Sequence, residues 1–172
     1  MGSRERLALF NMLGDLTDSY VLDAFAGSGA LGIEALSRGA SKVVFVEKTP
    51  SVAKVIRQNL AELGLSEAGE VLVGDAGGVL RGGAKASLHG GADRSSQRGA
   101  AWLDNTETYD VIMADPPYDA FDIKKVLPLS NKLRRGGVLV LSHPGETPEI
   151  EGLTLEKTRK YAAAHLSFYR AE

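Results

Sequence analysis

Short apolar runs recur along the chain, with polar and periodic stretches between them. They are "YVLDAF" over 20–25, "KVVFVE" over 42–47, "VLVG" over 71–74, "YDVIMAD" over 109–115 and "GVLVLS" over 137–142. None has room for a solvated face, and Val and Leu dominate. Such runs read as parallel strands covered on both sides. Helical patterns fill the gaps. Over 50–63, Val52, Val55, Ile56, Leu60 and Leu63 recur at i, i+3 and i+4 and predict one apolar stripe. Thr49 suits the N-cap, Pro50 the first helical position and Gly64 the stop. Residues 30–38 end in the same way at Gly39. An amphipathic opener is expected over 4–14, with Leu7, Phe10 and Leu13 inward. Residues 122–134 predict another helix, kinked or restarted at Pro128.

Strands and helices that alternate at this length define an α/β fold, a doubly wound and mostly parallel sheet. After Pro148 the rhythm changes. "LTLEKTRKY" and "AHLSFYRAE" are two strand patterns with no helix between them, so an antiparallel hairpin is expected at one sheet edge. Tyr161, Phe168 and Tyr169 should pack those strands. The stretch 82–105, rich in Gly, Ala and Ser, has no period and reads as a mobile loop inserted before the fourth strand, with Trp102 docking it. No repeat or second core interrupts the pattern, so 1–172 is expected to form a single domain.

Composition narrows the function. The net charge is -2, so contact with nucleic acid would have to come from a local patch. There is no cysteine, which removes disulfides and thiolate metal sites. His89, His143 and His165 share no ligand spacing, so no metal is expected. No apolar run nears the roughly 20 residues that span a bilayer. The opening "MGSRERLALF" lacks a signal-peptide core. A cytoplasmic protein without membrane contact is the expectation.

The chemistry gathers at two places. Gly27-Ser28-Gly29-Ala30-Leu31-Gly32 spells G-x-G-x-x-G directly after a strand and at a helix start. Glu47 ends the next strand, 20 residues after Gly27, where a carboxylate can accept from both ribose hydroxyls. Asp75 ends the third strand and suits either an adenine amino group or a helix cap. NAD and S-adenosylmethionine (SAM) both carry this adenosine. Asp23, just ahead of the glycines, tilts the choice: an anion repels a pyrophosphate but attracts an ammonium group.

The second place is Asp115-Pro116-Pro117-Tyr118, at the end of the fourth strand. The prolines fix φ and remove two N–H donors. A carboxylate and a carbonyl remain, both acceptors, and match the two hydrogens of a planar exocyclic amine. Tyr118 offers a ring on which a base can stack. Such an amine is a poor nucleophile, so positioning would supply much of the rate. These four residues serve an adenine N6 as well as a guanine N2. An NAD-dependent oxidoreductase, or a binding module without turnover, also stays open on the residues alone.

"VLDAFAGSGALGIEALSRGA", "VFVEK", "NLAELGL", "DVIMADPPY" and "RRGGVLVL" together resemble the RsmD-type 16S ribosomal RNA guanine-N2 methyltransferases, over most of residues 4–142. The resemblance implies the Rossmann-like SAM-dependent methyltransferase fold: a mostly parallel seven-stranded sheet, helices on both faces and an antiparallel C-terminal strand. It implies SAM as cofactor and methyl transfer to a guanine N2 of small-subunit ribosomal RNA, free or in an assembling subunit. Asp23, Ala26, Gly27, Ser28, Gly29, Glu47, Lys48, Asp75, Ala76 and Asp115 would hold the cofactor. Asp115, Pro116, Pro117 and Tyr118 would grip the target base, which must leave its stack. A monomer is expected.

The chain departs from the family pattern in places. A basic N-terminal segment with a β-hairpin, usual ahead of the opening helix, is expected to be missing. Ser142 stands where an acidic residue is usual, "RKYAAAHLSFY" replaces a Tyr-Gly pattern, and the 82–105 stretch is long. Lys124, Lys125, Lys132, Arg134 and Arg135, or Lys157, Arg159 and Lys160, would then hold phosphates, unless they are ordinary solvated faces.

Overall fold

A computed structural model describes residues 1–80, 108–161 and 164–172. The stretch read as a loop over 82–105, with His89 and Trp102, lies outside the described residues. The elements run α1 (Ser3–Leu13), β1 (Tyr20–Asp23), α2 (Ala30–Ser37), β2 (Lys42–Glu47), α3 (Pro50–Glu62), β3 (Gly69–Val73), α4 (Ala76–Leu80), β4 (Tyr109–Ala114), α5 (Leu127–Ser130), β5 (Leu133–His143), β6 (Leu153–Lys160) and β7 (His165–Ala171). Two short 3₁₀ turns, Tyr118–Ala120 and Ile123–Lys125, precede α5.

The strands form one seven-stranded sheet in the order β3-β2-β1-β4-β5-β7-β6. The first five pair in parallel, and β7 runs antiparallel to both β5 and β6. The hairpin therefore sits at the sheet edge, with its second strand innermost. Period two sorts each strand between two cores. Val21, Val43, Phe45, Val111 and Met113 face α1, α2 and α3, where Phe10, Ala35 and Ile56 meet them. Leu22, Val44, Val46, Ile112 and Ala114 face the other way, toward Ala76, Val126 and Leu129. Helices on both faces explain why these strands read as unbroken apolar runs.

Three expectations need correction. In α1 the buried residues are Leu9 and Phe10, while Leu7 is 56% exposed and Leu13 only half-buried. Residues two apart on a helix point to nearly opposite sides, so Leu7 and Leu9 could not both face inward, and docking chose Leu9. In α3, Ala53, Ile56 and Leu60 form the buried stripe, and Val55 and Leu63 are exposed. Leu63 is the C-cap rather than part of the stripe. Gly64, at φ +69°, closes the helix with the Gly64 N–H on the Ala61 carbonyl and the Leu65 N–H on the Leu60 carbonyl, a Schellman motif.

The helix predicted over 122–134 survives only as α5. Asp122 accepts from the Lys124 N–H and starts a separate turn, and Pro128 falls in the first turn of the restarted helix. Pairing with β4 claims the rest: Leu133 lies opposite Tyr109, and the Tyr109 N–H donates to the Lys132 carbonyl. Phe168 and Tyr169 are buried and Tyr161 half-buried, as the hairpin required.

Candidate active site

Parallel pairing brings the carboxyl ends of β1, β2, β3 and β4 to one rim, the place where open α/β sheets bind ligands. The rim is staggered. Asp23 lies level with Phe45 and Met113, two residues below Glu47 and Asp115 on their strands. That register puts Asp23 inside the protein, fully buried, under the glycine loop.

The loop is pinned on both sides. The Ala24 N–H donates to the Met113 carbonyl and the Ala26 N–H to the Val46 carbonyl. Gly27 and Gly29 take φ of +52° and +82°, which favour glycine. Glu47 holds the loop with one oxygen and the start of α3 with the other: Oε2 accepts the Gly27 N–H at 2.9 Å and Oε1 the Thr49 N–H at 2.8 Å. Lone pairs remain on each oxygen for further donors. Thr49 therefore serves through its backbone and makes no side-chain cap.

Asp23 Oδ2 accepts the Gly32 N–H at 3.0 Å, and Oδ1 has no partner among the described residues. Burial pushes its carboxyl up to about 7, against the Gly32 bond, with the Asp115 and Glu47 charges adding to the rise. The folded chain thus binds this proton more tightly than the unfolded chain does. The stabilisation is complete below the ordinary carboxylate range and is lost as pH rises through about 7. Urea midpoints measured from pH 4 to 8 should therefore fall across this window, and Asp23→Asn should flatten that fall. An unchanged slope would remove Asp23 as its source.

An open cavity of about 260 Å³, at the small end for a small-molecule site, lies at the rim; the buried Asp23 is not part of its lining. Of the residues proposed from sequence, Gly27, Glu47, Lys48, Asp75, Ala76, Asp115, Pro116 and Pro117 line it. Tyr118 joins through Asp115, with its hydroxyl 3.4 Å from Oδ1. Ala26, Ser28 and Gly29 build the loop rather than the wall; the Ser28 carbonyl accepts from Asn59 on α3. The Asp75 carboxylate accepts the Gly78 N–H at 3.3 Å, so it also caps α4. Phe25, Ala120, Asp122 and Lys125 line the cleft and escaped the sequence reading of the cofactor site. Phe25 sits within the glycine stretch, and the others follow the Pro-Pro pair within ten residues, so proximity was their only signal.

Two donors meet Asp115. The Met1 amino group lies 2.7 Å from Oδ2, and the Tyr118 hydroxyl approaches Oδ1. Tyr118 also meets the Ser142 hydroxyl at 2.5 Å. Burial raises the Tyr118 phenol above its ordinary range. The basic cluster after the tetrapeptide is smaller than the sequence suggested. Lys132 is buried, and Arg134 is held by both oxygens of Asp110. Lys124, Lys125 and Arg135 remain exposed.

This sheet order, with a cleft at the carboxyl ends of β1–β4, defines a Rossmann-like methyltransferase fold. A solved Escherichia coli structure described as "Putative methyltransferase yhhF" matches with a TM-score of 0.78, over 100% of this chain and 87% of that one, at 22% identity. The family model "Conserved hypothetical protein 95" matches residues 1–90, and the chain belongs to that family, the RsmD family. "Putative rRNA methyltransferase YlbH" of Bacillus subtilis is 32% identical over 95% of this chain and 82% of its own length. "Ribosomal RNA small subunit methyltransferase D" of Haemophilus influenzae is 48% identical over 41% of this chain, a stretch that spans 38% of that protein.

Proposed function

We propose that the chain is a SAM-dependent methyltransferase that modifies the exocyclic N2 of a guanine in small-subunit ribosomal RNA. The observation that carries the reading is the Asp115–Tyr118 rim, which opens into the cleft that Gly27 and Glu47 also line.

The residues fit the cofactor. Asp23 presents an unpartnered buried oxygen, which suits a cationic donor and opposes a pyrophosphate. Gly27, Ser28 and Gly29 bring backbone close, with Ala26 anchoring their turn. In this reading Glu47 and Lys48, which line the cleft, would hold the ribose, and Asp75 and Ala76 the adenine. When bound, SAM supplies an electrophilic methyl carbon. The protein holds the acceptor. Asp115 Oδ2 and the Pro116 carbonyl take the two amine hydrogens, Pro117 keeps the turn rigid, and the Tyr118 ring stacks on the base. The Asp115 carboxylate stabilises positive charge as it develops on the nitrogen. Lys125, exposed at the same cleft, is suited to a phosphate of the flipped nucleotide. No described helix is long and apolar enough to cross a membrane.

Incubation with methyl-labelled SAM and small-subunit RNA or subunits should label a guanine N2. Label confined to adenine N6 or to protein would overturn the substrate. Calorimetry should show binding of SAM and its demethylated product but not of NAD, and the reverse order would sink the methyltransferase reading.

A further inference from the structure

We propose that Ser142 is a positioning residue. Its hydroxyl at the end of β5 donates to the Tyr118 phenol, which turns the phenol proton toward Asp115 Oδ1 and so orients the carboxylate whose Oδ2 would take the target amine. This rests on the methyltransferase reading above.

The direction follows from counting protons. Three oxygen-bearing groups line up: Ser142 Oγ, the Tyr118 hydroxyl at 2.5 Å, and Asp115 Oδ1 at 3.4 Å from that hydroxyl. A carboxylate has no proton to give. Tyr118 has one, so a phenol that donates to Asp115 must accept from Ser142. The phenol, raised by burial, keeps its proton at neutral pH. The 3.4 Å contact is long, as such bonds often are before substrate binds, and closure on a base would shorten it.

The anchor is buried in the sheet and the anchored ring stands outside it. Ser142 is 2% exposed and lies opposite Leu166 in the β5–β7 pairing. Tyr118 stands on a three-residue 3₁₀ turn and is only partly buried. Without the Ser142 hydroxyl, the Tyr118 ring would lose its tie to the sheet, and the Tyr118 proton would no longer be directed at Asp115 Oδ1. The bond thus ties the loop after β4 to a strand that takes no other part in the site.

The test uses single turnovers with saturating SAM and RNA. Ser142→Ala should lower the methyl-transfer rate about tenfold, the scale of one lost hydrogen bond, with SAM affinity unchanged within about twofold. Ser142→Thr should keep the rate. Tyr118→Phe should lose a similar factor, and the double variant should be no slower than Tyr118→Phe alone. Losses that multiply, or a wild-type rate for Ser142→Ala, would overturn the proposal.

A second readout needs no substrate. Ultraviolet titration of Tyr118, taken as the difference from Tyr118→Phe, should move up in Ser142→Ala, because a donor to the phenolate is gone. No movement would overturn the proposal as well. Asp115→Ala separates the two levels. If it keeps activity, the amine-anchor reading fails; if it is inactive while Ser142→Ala is normal, only the Ser142 assignment fails.

Discussion

Asp115→Ala should reduce methyl transfer by about a thousandfold while SAM affinity stays within about twofold, because the role we propose for Asp115 is to hold the acceptor and not the bulk of the cofactor. Asp115 is the charged acceptor of the tetrapeptide, with Oδ1 3.4 Å from the Tyr118 hydroxyl. An exocyclic amine is held by two acceptors or it rotates out of line, so the loss of one falls on the chemical step. Asp115→Asn is the sharper variant. It keeps the shape but replaces one acceptor oxygen with a donor that repels the amine hydrogens, and it should be nearly as slow. Single-turnover rates beside calorimetric SAM affinity make the measurement. Activity within tenfold of wild type in both variants would show that Asp115 is not the amine anchor.

Gly32→Ala should destabilise the fold by about 3 kcal/mol, and its sign is diagnostic. On helix propensity alone, replacing a helical glycine with alanine stabilises by roughly 1 kcal/mol. Packing opposes this. A Cβ at Gly32 would lie 2.2 Å from Phe45 Cε1, 2.6 Å from Phe45 Cζ and 2.8 Å from Val43 Cγ1. Both neighbours are fully buried on β2 and have nowhere to go. Helix α2 must therefore lift from the sheet, which would pull the Gly32 N–H from Asp23 and loosen the glycine turn. At a few degrees per kcal/mol for a chain of this size, the melting temperature should drop by roughly 6–12 °C. Phe45→Leu in the Gly32→Ala background should restore part of the loss. A Gly32→Ala protein that melts at or above the wild-type temperature would show that the sheet yields to the methyl group.

The third glycine of the G-x-G-x-x-G pattern thus acts through packing, and the first two through their turn. The turn was legible, since a strand and a helix flank the motif, but the packing was not, because it depends on Phe45 and Val43 of β2 lying against α2. Glu47 and Asp115–Tyr118 were legible like the turn: each stands at the end of an apolar run, and parallel strand ends share a rim. Asp23 was legible as a charge ahead of the glycines but not as a buried one. Its depth comes from the two-residue stagger between β1 and its neighbours, which one strand's sequence cannot encode. Asp75 was readable as a cap or a ligand, and it both caps α4 and lines the cleft.

Other features were out of reach for a common reason. Leu7 and Leu9 fit an amphipathic helix equally well, and only docking on the sheet selected Leu9. Lys132 reads as one of a basic cluster, yet it is buried where the chain enters β5. Ser142 and Tyr118 are 24 positions apart, and no period links them.

What the sequence determined by itself is local in origin: apolar runs too short and too unbroken to be anything but covered strands, turns that need glycine or proline, and acceptors placed at strand ends. From these follow the alternating fold and the two halves of the chemistry. Only the tertiary structure decided the strand order, the stagger that buries Asp23, the insertion of β7 beside β5 and the meeting of Ser142 with Tyr118. These depend on which distant segments pair and in what register, and that choice is made by burial summed over the whole sheet.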